Sequence, residues 1–152
     1  MSAHRHAPPD YECPFCAFVS GEELPPWNLR QDVVWQDSKT TAWMNPRWWV
    51  TNPGNVLVVP NEHVENLFEL DGGLAAAVHA TARRIALAMT AAYPCEGVTT
   101  RQNNGPGADQ EVWHYHLHVF PRDRGDGFYG SNARLTDPEE RQPYAELLKA
   151  AL

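Results

Sequence analysis

Hydrophobic and β-branched residues form short runs in the first half of the chain. Val33–Trp35 and Thr40–Met44 flank the polar segment 36–39, which predicts two strands joined by a turn. The run 55–60 is almost continuously apolar and ends at a proline, which predicts a strand covered on both faces. Between these strands, the segment 45–54 is bracketed by two Asn-Pro pairs and is predicted to be a loop.

The middle of the chain changes to the period of an amphipathic helix. A helix is predicted over 74–93, where apolar residues recur every three or four positions and Pro94 closes the element. Its apolar stripe consists of Leu74, Val78, Ala82, Ile85 and Met89. Beyond it, 98–101 and 112–120 are predicted strands around a glycine-rich loop, and YAELLKAAL predicts a short C-terminal helix. This order predicts an α+β domain with a mainly antiparallel sheet.

Composition limits the class of protein. The chain has 152 residues, 43% of them hydrophobic, which suits one globular domain with a buried core. Its net charge of −7 argues against broad binding of nucleic acids or anionic membranes, and no run approaches the ~20 apolar residues of a membrane span. Residues 1–10 have no apolar core typical of a signal peptide and are predicted to be a disordered leader. We expect a cytoplasmic protein that binds no DNA, RNA or membrane.

The most informative stretch is HYHLHVFPR, which places His114, His116 and His118 on alternate positions. In a strand these three side chains share one face, and the apolar residues between them pack on the other. At ~3.3 Å per residue the outer two histidines lie about 13 Å apart along the strand, too far for one zinc ion with bonds of about 2 Å. The spacing therefore favours two sites, one at each end of the strand.

Two other interpretations of the three histidines carry less weight. An exposed polar strand face would be expected to carry Thr, Lys and Glu, and a single three-histidine metal site is disfavoured by the spacing. Histidine can act as a nucleophile, an acid–base group or an anion binder because its pKa lies near neutrality. The preceding loop supplies amide donors and bare backbone at Asn103, Gly105, Gly107 and Gln110, which suits a phosphate.

The cysteines suggest a metal rather than disulfides. Cys13 and Cys16 form a CxxC pair, and the third cysteine, Cys95, is expected to be a small buried apolar residue. Two more ligands are needed for a tetrahedral zinc site, and His63 and His114 are plausible third and fourth ligands. An unliganded cysteine pair, a helix-entry role for His63 and, more weakly, a redox CxxC remain alternatives.

Taken together, these motifs resemble the histidine triad (HIT) superfamily of nucleotide hydrolases and transferases. The resemblance rests on NNGPGADQEVWHYHLHVFPR, with CPFCAFVSGE and VLVVPNEH upstream and GDGF downstream, and it extends from about residue 12 to residue 128. It implies a HIT-like fold over 11–130, with 131–152 as a C-terminal extension packed on the domain.

The resemblance also implies roles for individual residues. His116 would attack the α-phosphorus of a nucleotide and form a nucleotidyl-histidine, while the carbonyl of His114 holds its other nitrogen. His118 would contact phosphate oxygens and the leaving position. Asn103 would bond near the leaving group, with Gln110 and the Val112 backbone lining the phosphate site. Asn103 and Gln110 thus join the two histidines in the catalytic set, and the nucleotide-binding set adds Trp43, Asn45 and Val112.

The same resemblance implies a cofactor and partners. It places a structural zinc on Cys13, Cys16, His63 and His114. The expected ligand is a purine nucleotide or nucleotide conjugate, and the expected assembly is a homodimer whose sheet continues across both subunits.

Several positions depart from the family pattern. Asn45 stands where an acidic residue usually meets the ribose hydroxyls, and the loop after it is about two residues longer, through Arg47-Trp48-Trp49. Asn55 replaces a common histidine. Asp109 and Glu111 replace small residues beside Gln110, and like charges at ~4 Å cost on the order of 1–4 kcal/mol; on a regular strand both would face away from the histidines.

Aromatic side chains have two interpretations each. Trp43 suits either stacking on a purine or the core, and core is the commoner fate of a strand tryptophan. Trp48 and Trp49 suit either the mouth of a substrate site or a dimer edge.

Three functions are compatible with the sequence. The first is a hydrolase or nucleotidyl transferase acting on nucleoside phosphoramidates, monophosphate esters or dinucleoside polyphosphates. The alternative is a catalytically weak nucleotide-binding regulator with a structural zinc, as the departures at Asn45, Asn55, Asp109 and Glu111 would allow. The third is a zinc module whose triad is vestigial.

Overall fold

A computed structural model gives the fold of residues 4–152. Within this range three α-helices, α1 to α3, span Pro14–Ser20, Gly72–Ala92 and Pro138–Ala151. The strands β1 to β7 span Val33–Gln36, Thr40–Met44, Arg47–Trp49, Val56–Pro60, Gly97–Arg101, Leu117–Arg122 and Ala133–Leu135. Single 3-10 turns lie at Arg30–Asp32, Pro106–Ala108 and Phe128–Gly130. No helix of the described range is long and apolar enough to span a membrane.

The main sheet has five strands in the order β1-β2-β4-β6-β5, and every neighbouring pair is antiparallel. The predicted α+β class with an antiparallel sheet is thus confirmed. The turn between β1 and β2 is held by Asp37, whose carboxylate accepts from the backbone N–H groups of Lys39 and Thr40 at 2.8 Å each. All residues of β2 and β4 are buried, because both faces of the sheet are covered there.

Helix α2 covers one face of the sheet. It begins two residues earlier than the sequence predicts, because Asp71 caps it and accepts from Gly73 N at 2.7 Å and Leu74 N at 3.1 Å. The five predicted stripe residues are all buried, and those from Val78 to Met89 pack on the inward side chains of β2, β4 and β6. Tyr115, Leu117 and Val119 belong to this core, as the alternation of the histidine stretch predicts.

The opposite face of the sheet carries a smaller core formed by α1. Helix α1, which the sequence pattern did not indicate, starts at a cap on Cys13, whose sulfur accepts from Cys16 N at 3.4 Å. It ends at Gly21, which adopts a left-handed φ of 114°. Phe18 packs there on Trp43, Leu57 and Val59. The part of this face beyond α1 is open and forms the site described below.

The predicted loop 45–54 contains a strand. Its residues Arg47–Trp49 pair with Ala133–Leu135 to make a second, two-stranded sheet. Trp48 is 1% exposed and packs against Tyr144, so it is a core residue. The sequence pattern missed this strand because its pairing partner lies far along the chain.

The C-terminal segment packs onto the domain through α3, which is longer than YAELLKAAL alone predicts. Ala145 and Leu148 enter the main core. Arg141 and Asp32 are both fully buried, with Nε to Oδ1 at 2.9 Å and Nη2 to Oδ2 at 3.0 Å, and Arg141 Nη2 also donates to the carbonyl of Trp27 at 2.8 Å. Breaking such a buried pair from one side costs about 3–5 kcal/mol, so it fixes α3 to the segment before β1.

Part of the predicted disordered leader lies against the domain. The backbone N–H of His6 donates to Glu65 at 2.6 Å, and Asn66 donates to the carbonyl of His4 at 2.7 Å. Residues 4–7 thus contact the segment after β4, although residues 1–10 were predicted to be a disordered leader. The first three residues of the leader lie outside the described range.

Candidate functional site

The histidine stretch is only partly a strand. Strand β6 begins at Leu117, whereas the sequence predicts a strand from Val112. Before it, Tyr115 N donates to the carbonyl of Val64 at 2.6 Å, outside the ladder of the sheet. His114 and His116 therefore lie at the entry of the strand, and His118 lies within it.

The side chain of His114 belongs to a cluster with Cys13, Cys16 and His63, named the metal cluster below. One ligand atom from each residue lies within 4.8 Å of the other three. The Nδ1 of His114 is 3.4 Å from Cys13 Sγ and 3.5 Å from Cys16 Sγ, and Cys16 Sγ is 3.2 Å from His63 Nδ1. A tetrahedral zinc with Zn–S near 2.3 Å and Zn–N near 2.0 Å has edges of about 3.3–3.8 Å, so these donors fit the ion. The structure thus brings together all four predicted ligands.

The donor chemistry of the metal cluster also suits a metal. Nε2 of His114 donates to the carbonyl of Pro60 at 2.9 Å, which turns Nδ1 towards the sulfurs. Burial lowers the pKa of His114 to about 4, so its imidazole is neutral, the form that coordinates a cation. Burial and the neighbouring Cys13 raise the pKa of the Cys16 thiol to about 12, and a bound divalent ion would reverse this shift.

His116 faces away from the metal cluster. It is 8% exposed, and its Nδ1 donates to the carbonyl of His114 at 2.7 Å. This bond fixes the tautomer, so Nε2 carries the free lone pair. Burial lowers the pKa of His116, which keeps the ring neutral and nucleophilic near neutral pH.

A cavity of about 740 Å³ opens beside His116 and His118. Its apolar wall comes from α1, β4 and the segment before β1, and consists mainly of Phe15, Leu24, Trp27 and Leu57. Its polar wall includes Asn45 and Asn103, both predicted site residues. Val112, a third predicted residue, also lines the cavity. A volume of this size accommodates a ligand as large as a nucleotide.

His118 is oriented by the residue that stands in the expected ribose position. Asn45 Nδ2 is 3.4 Å from His118 Nδ1, a geometry in which the amide donates and the proton of His118 resides on Nε2. Asn45 Oδ1 in turn accepts from Arg47 N at 3.0 Å, which holds the start of the longer loop. Asn55, the other departure at this loop, is fully buried and donates to the carbonyl of Arg47 at 3.3 Å.

Two predicted residues do not line the cavity. Trp43 is fully buried beneath Phe15 and Phe18, so it supplies core packing instead of a surface for a purine. Phe15, between the two cysteines, lines the cavity in its place, with its ring centroid 5.4 Å from that of His116. The CxxC motif identifies its cysteines as candidate ligands but carries no signal for this ring.

Gln110 is also buried away from the cavity. Its Nε2 donates to the carbonyl of Glu65 at 2.6 Å and of Val112 at 3.1 Å, and its Oε1 accepts from Gly105 N at 2.8 Å. The glutamine therefore stabilises the conformation of the loop before the histidines through hydrogen bonds to backbone groups.

Among the described residues, four charged side chains line the cavity, and of these only Arg101 carries no signal in the sequence. Arg47 and Glu111 both line it and form an ion pair at 2.7 Å. Arg101 and Asp109 line it as well. The two carboxylates do not face away from the histidines, because no strand exists at 109–116 and Asp109 has a left-handed φ of 59°. Trp49 also lines the cavity, beside Arg101.

The chain is similar to known proteins both in sequence and in structure. The family model described as HIT domain matches residues 28–125. A Bacillus subtilis relative named Protein hit is 32% identical over 134 residues, which are 86% of this chain and 87% of the relative. The crystal structure of a zinc-bound histidine triad family protein from Mycobacterium smegmatis superposes with a TM-score of 0.75 at 31% identity, covering 91% of each chain.

A more distant likeness concerns the fold alone. The diadenosine triphosphate hydrolase of Plasmodium falciparum, solved with Cyclomarin A, superposes with a TM-score of 0.68 at 15% identity, over 90% of this chain and 92% of that one. Together with the mycobacterial structure, it confirms the predicted fold.

Proposed function

The chain belongs to the HIT domain family, and from this premise we propose that it hydrolyses or transfers nucleotides at the α-phosphate through a nucleotidyl-histidine intermediate. The observation that carries the proposal is the 2.7 Å bond from His116 Nδ1 to the carbonyl of His114, which leaves Nε2 free at a cavity of nucleotide size. The diadenosine triphosphate hydrolase of Plasmodium falciparum shares the fold.

In the proposed reaction, Nε2 of His116 attacks the α-phosphorus. An N–P bond forms, and the bond from phosphorus to the leaving oxygen or nitrogen breaks with its electron pair going to the leaving group. Water then attacks the same phosphorus, the N–P electron pair returns to Nε2, and the proton of the water passes to the phosphate or to solvent. His118, protonated on Nε2 and held by Asn45, donates to a phosphate oxygen or to the leaving atom.

The surrounding residues bind and position the substrate. The base and sugar lie against the apolar wall of Phe15, Leu24 and Leu57, and Asn103 donates near the leaving group. Gln110 serves as a positioning residue, because it ties the Gly105 and Val112 backbone together without touching the cavity. Asn45 is too engaged with His118 and Arg47 to copy the role of an acidic ribose ligand.

We also propose that the metal cluster holds a structural zinc on Cys13, Cys16, His63 and His114. The donor distances and the zinc-bound structure of the mycobacterial relative support this proposal. With all four positions filled by protein, zinc would crosslink α1, the segment after β4 and the histidine stretch, and would leave no open position for substrate.

The assembly proposed is a homodimer. Strand β5 lies at the edge of the five-stranded sheet, and its residues are only partly buried, so its free backbone groups are available for pairing with a second copy. Sedimentation analysis should then give twice the chain mass, whereas a monomer at micromolar concentration would exclude this pairing.

Intact-mass spectrometry tests the proposed chemistry directly. The wild-type chain and His116→Asn are exposed to adenosine phosphoramidate and diadenosine triphosphate, with His79→Asn on the exposed surface of α2 as the matched control. We expect turnover and a transient nucleotidyl adduct in the wild type and the control, and neither in His116→Asn. Equal activity, or equal inactivity, of wild type and His116→Asn would contradict the catalytic role.

A nucleotide-binding regulator is the second candidate function. Asn45 stands in place of an acid, and Asp109 and Glu111 line the cavity, where carboxylates disfavour the build-up of negative charge in a transition state. Tight binding of AMP without any adduct in the same experiment would favour this candidate over the hydrolase.

A further inference from the structure

Arg101 occupies a distinctive position relative to the histidines. It is the last residue of β5 and pairs in register with His118 on β6, while His118 pairs with Leu57 and Leu57 with Trp43. Directly opposed residues project from the same face of a sheet with Cβ atoms about 4.5–5.5 Å apart. Arg101 is therefore the next side chain along the row that carries His118, on the cavity side of the sheet.

Aromatic rings hold this guanidinium at the cavity wall. Its central carbon lies 4.6 Å from the ring centroid of Trp49 and 5.3 Å from that of Phe120. Phe120 in turn stacks on His118, with centroids 5.5 Å apart and planes 6° from parallel. Trp49 and Phe120 thus hold the guanidinium group at the wall of the cavity that Arg101 lines.

Among residues 4–152, the side-chain nitrogens of Arg101 have no hydrogen-bond acceptor. Across residues 4–152, Nε of Arg101 is buried without a hydrogen bond, and the side chain forms no ion pair. Arg47, the other arginine at the cavity, is already paired with Glu111. A partly desolvated guanidinium without an acceptor is costly, and an anion is the ligand that removes the cost.

The nearest carboxylate does not supply that anion. Asp109 lines the same cavity and acts on Arg101 electrostatically, but the two side chains are not in contact within 4.0 Å. Asp109 is exposed, so solvent screens its charge. The cavity that could hold such an anion is lined by Arg101, His116 and His118 together.

We propose that Arg101 binds the phosphate next to the one that His116 attacks, which makes the chain selective for nucleoside polyphosphates over nucleotides with a single phosphate. The inference rests on the proposed function for the place of the α-phosphate. His116 and His118 serve that first phosphate, Asn103 donates near the leaving atom, and Arg101 lies one strand further along the row. Its substrates are then nucleotides whose leaving group begins with a phosphate.

Equilibrium binding tests this without any turnover. In the His116→Asn background, calorimetric titrations compare ADP with AMP, and GDP with GMP, in magnesium-free buffer. Adding Arg101→Gln should weaken diphosphate binding by about 10- to 100-fold, the value of a charge-assisted hydrogen bond, and monophosphate binding by less than about threefold. Arg83→Gln, a matched change at an exposed arginine of α2, should alter neither affinity. Arg101→Lys should lose part of the difference between diphosphate and monophosphate affinity.

The outcomes separate this inference from the proposed function. Equal weakening of mono- and diphosphate by Arg101→Gln, or no weakening, overturns the role of Arg101 even if the wild type hydrolyses nucleotides. If the preference for diphosphate over monophosphate disappears in Arg101→Gln, the role of Arg101 is supported even when the wild type proves inactive. Retained monophosphate binding shows that the variant is folded, and an absence of all nucleotide binding in the His116→Asn chain overturns the inference.

Discussion

The five-residue motif 114–118 places histidine side chains in two different environments, one at each end. At one end, the imidazole of His114 is fully buried among two sulfurs and another imidazole. At the other end, His116 and His118 face a cavity lined by amides and a guanidinium. The difference lies in the neighbours: soft sulfur donors favour a cation such as zinc, and N–H donors favour a phosphate.

The ends nevertheless share parts. His114 contributes its side chain to the metal cluster and its carbonyl to His116, and Phe15 places its ring at the cavity while its neighbours in sequence supply sulfur. The motif and the CxxC segment therefore connect the two sites structurally. The following variants separate the two ends.

The largest effect is expected at the metal cluster. Cys16→Ser should lower zinc affinity by at least about 100-fold, because loss of a ligand costs more than loss of an outer hydrogen bond. Competition with a chromophoric chelator measures this, and the same variant should show a lower melting temperature. Cys95→Ser, at the cysteine outside the metal cluster, is the control and should keep its zinc. Unchanged zinc affinity in Cys16→Ser would exclude the four-ligand site.

A substitution at the cavity tests whether the two sites can be separated. Phe15→Ala removes the ring that lines the cavity and contacts His116, so nucleotide affinity should fall by about tenfold while zinc affinity stays unchanged. Calorimetry and chelator competition on one preparation give both values. Phe68→Ala, at a ring that is 58% exposed, serves as the control. If zinc is lost together with nucleotide, the two ends are not separable at this residue.

Acid should distinguish the cavity histidines from ordinary ones. Burial, and next the charges of His116 and Arg101, hold the pKa of His118 well below its usual 6.5. As the pH falls through that value, the unfolded chain takes up a proton at this position and the folded chain does not. The free energy of unfolding contributed here is thus present above the unfolded pKa and is lost as the pH falls below it.

Urea unfolding measures that acid sensitivity. Between about pH 7.5 and about pH 5.5 the wild type should lose more stability than His118→Asn, which lacks the titrating group. His118 is not a ligand of the metal cluster, so loss of metal in acid affects both chains alike. An identical decline in the two proteins would show that His118 titrates normally.

The smallest effect is expected at the cavity mouth. Glu111→Gln breaks the exposed ion pair with Arg47, whose side chain is 48% exposed, so stability should change by less than about 1 kcal/mol. Binding of ADP should tighten by about two- to fivefold, because one carboxylate leaves the cavity and Arg47 is released. Weaker binding would mean that the ion pair holds the wall in place instead.

Elements that are determined by residues close together in sequence could be predicted from the hydrophobic pattern. The bounds of β2 match the prediction, and the stripe of α2 is buried as its spacing indicates. Helix α1 was missed because seven residues are too few for a helical period to appear. Strand β3 was missed because its pairing with β7 depends on tertiary structure and not on the sequence around Trp48.

The candidate site divides in the same way. The metal cluster and the two cavity histidines could be predicted because each belongs to a dense local motif. Arg101 could not, because an arginine at a strand end is unremarkable until the pairing partner is known to be His118. Trp43 and Gln110 were placed at the cavity by motif position, whereas their burial is decided by α1 and by the Glu65 backbone.

The buried pair between Arg141 and Asp32 also has a consequence for biosynthesis. Trp27 and Asn28 form part of the cavity wall, and the carbonyl of Trp27 is held by Arg141, 114 positions later. Because the ribosome delivers the chain from its N-terminus, the triad emerges before the residue that fastens this wall. The wall at Trp27 is thus fastened only after Arg141 has emerged, later in synthesis than the histidines that face the cavity.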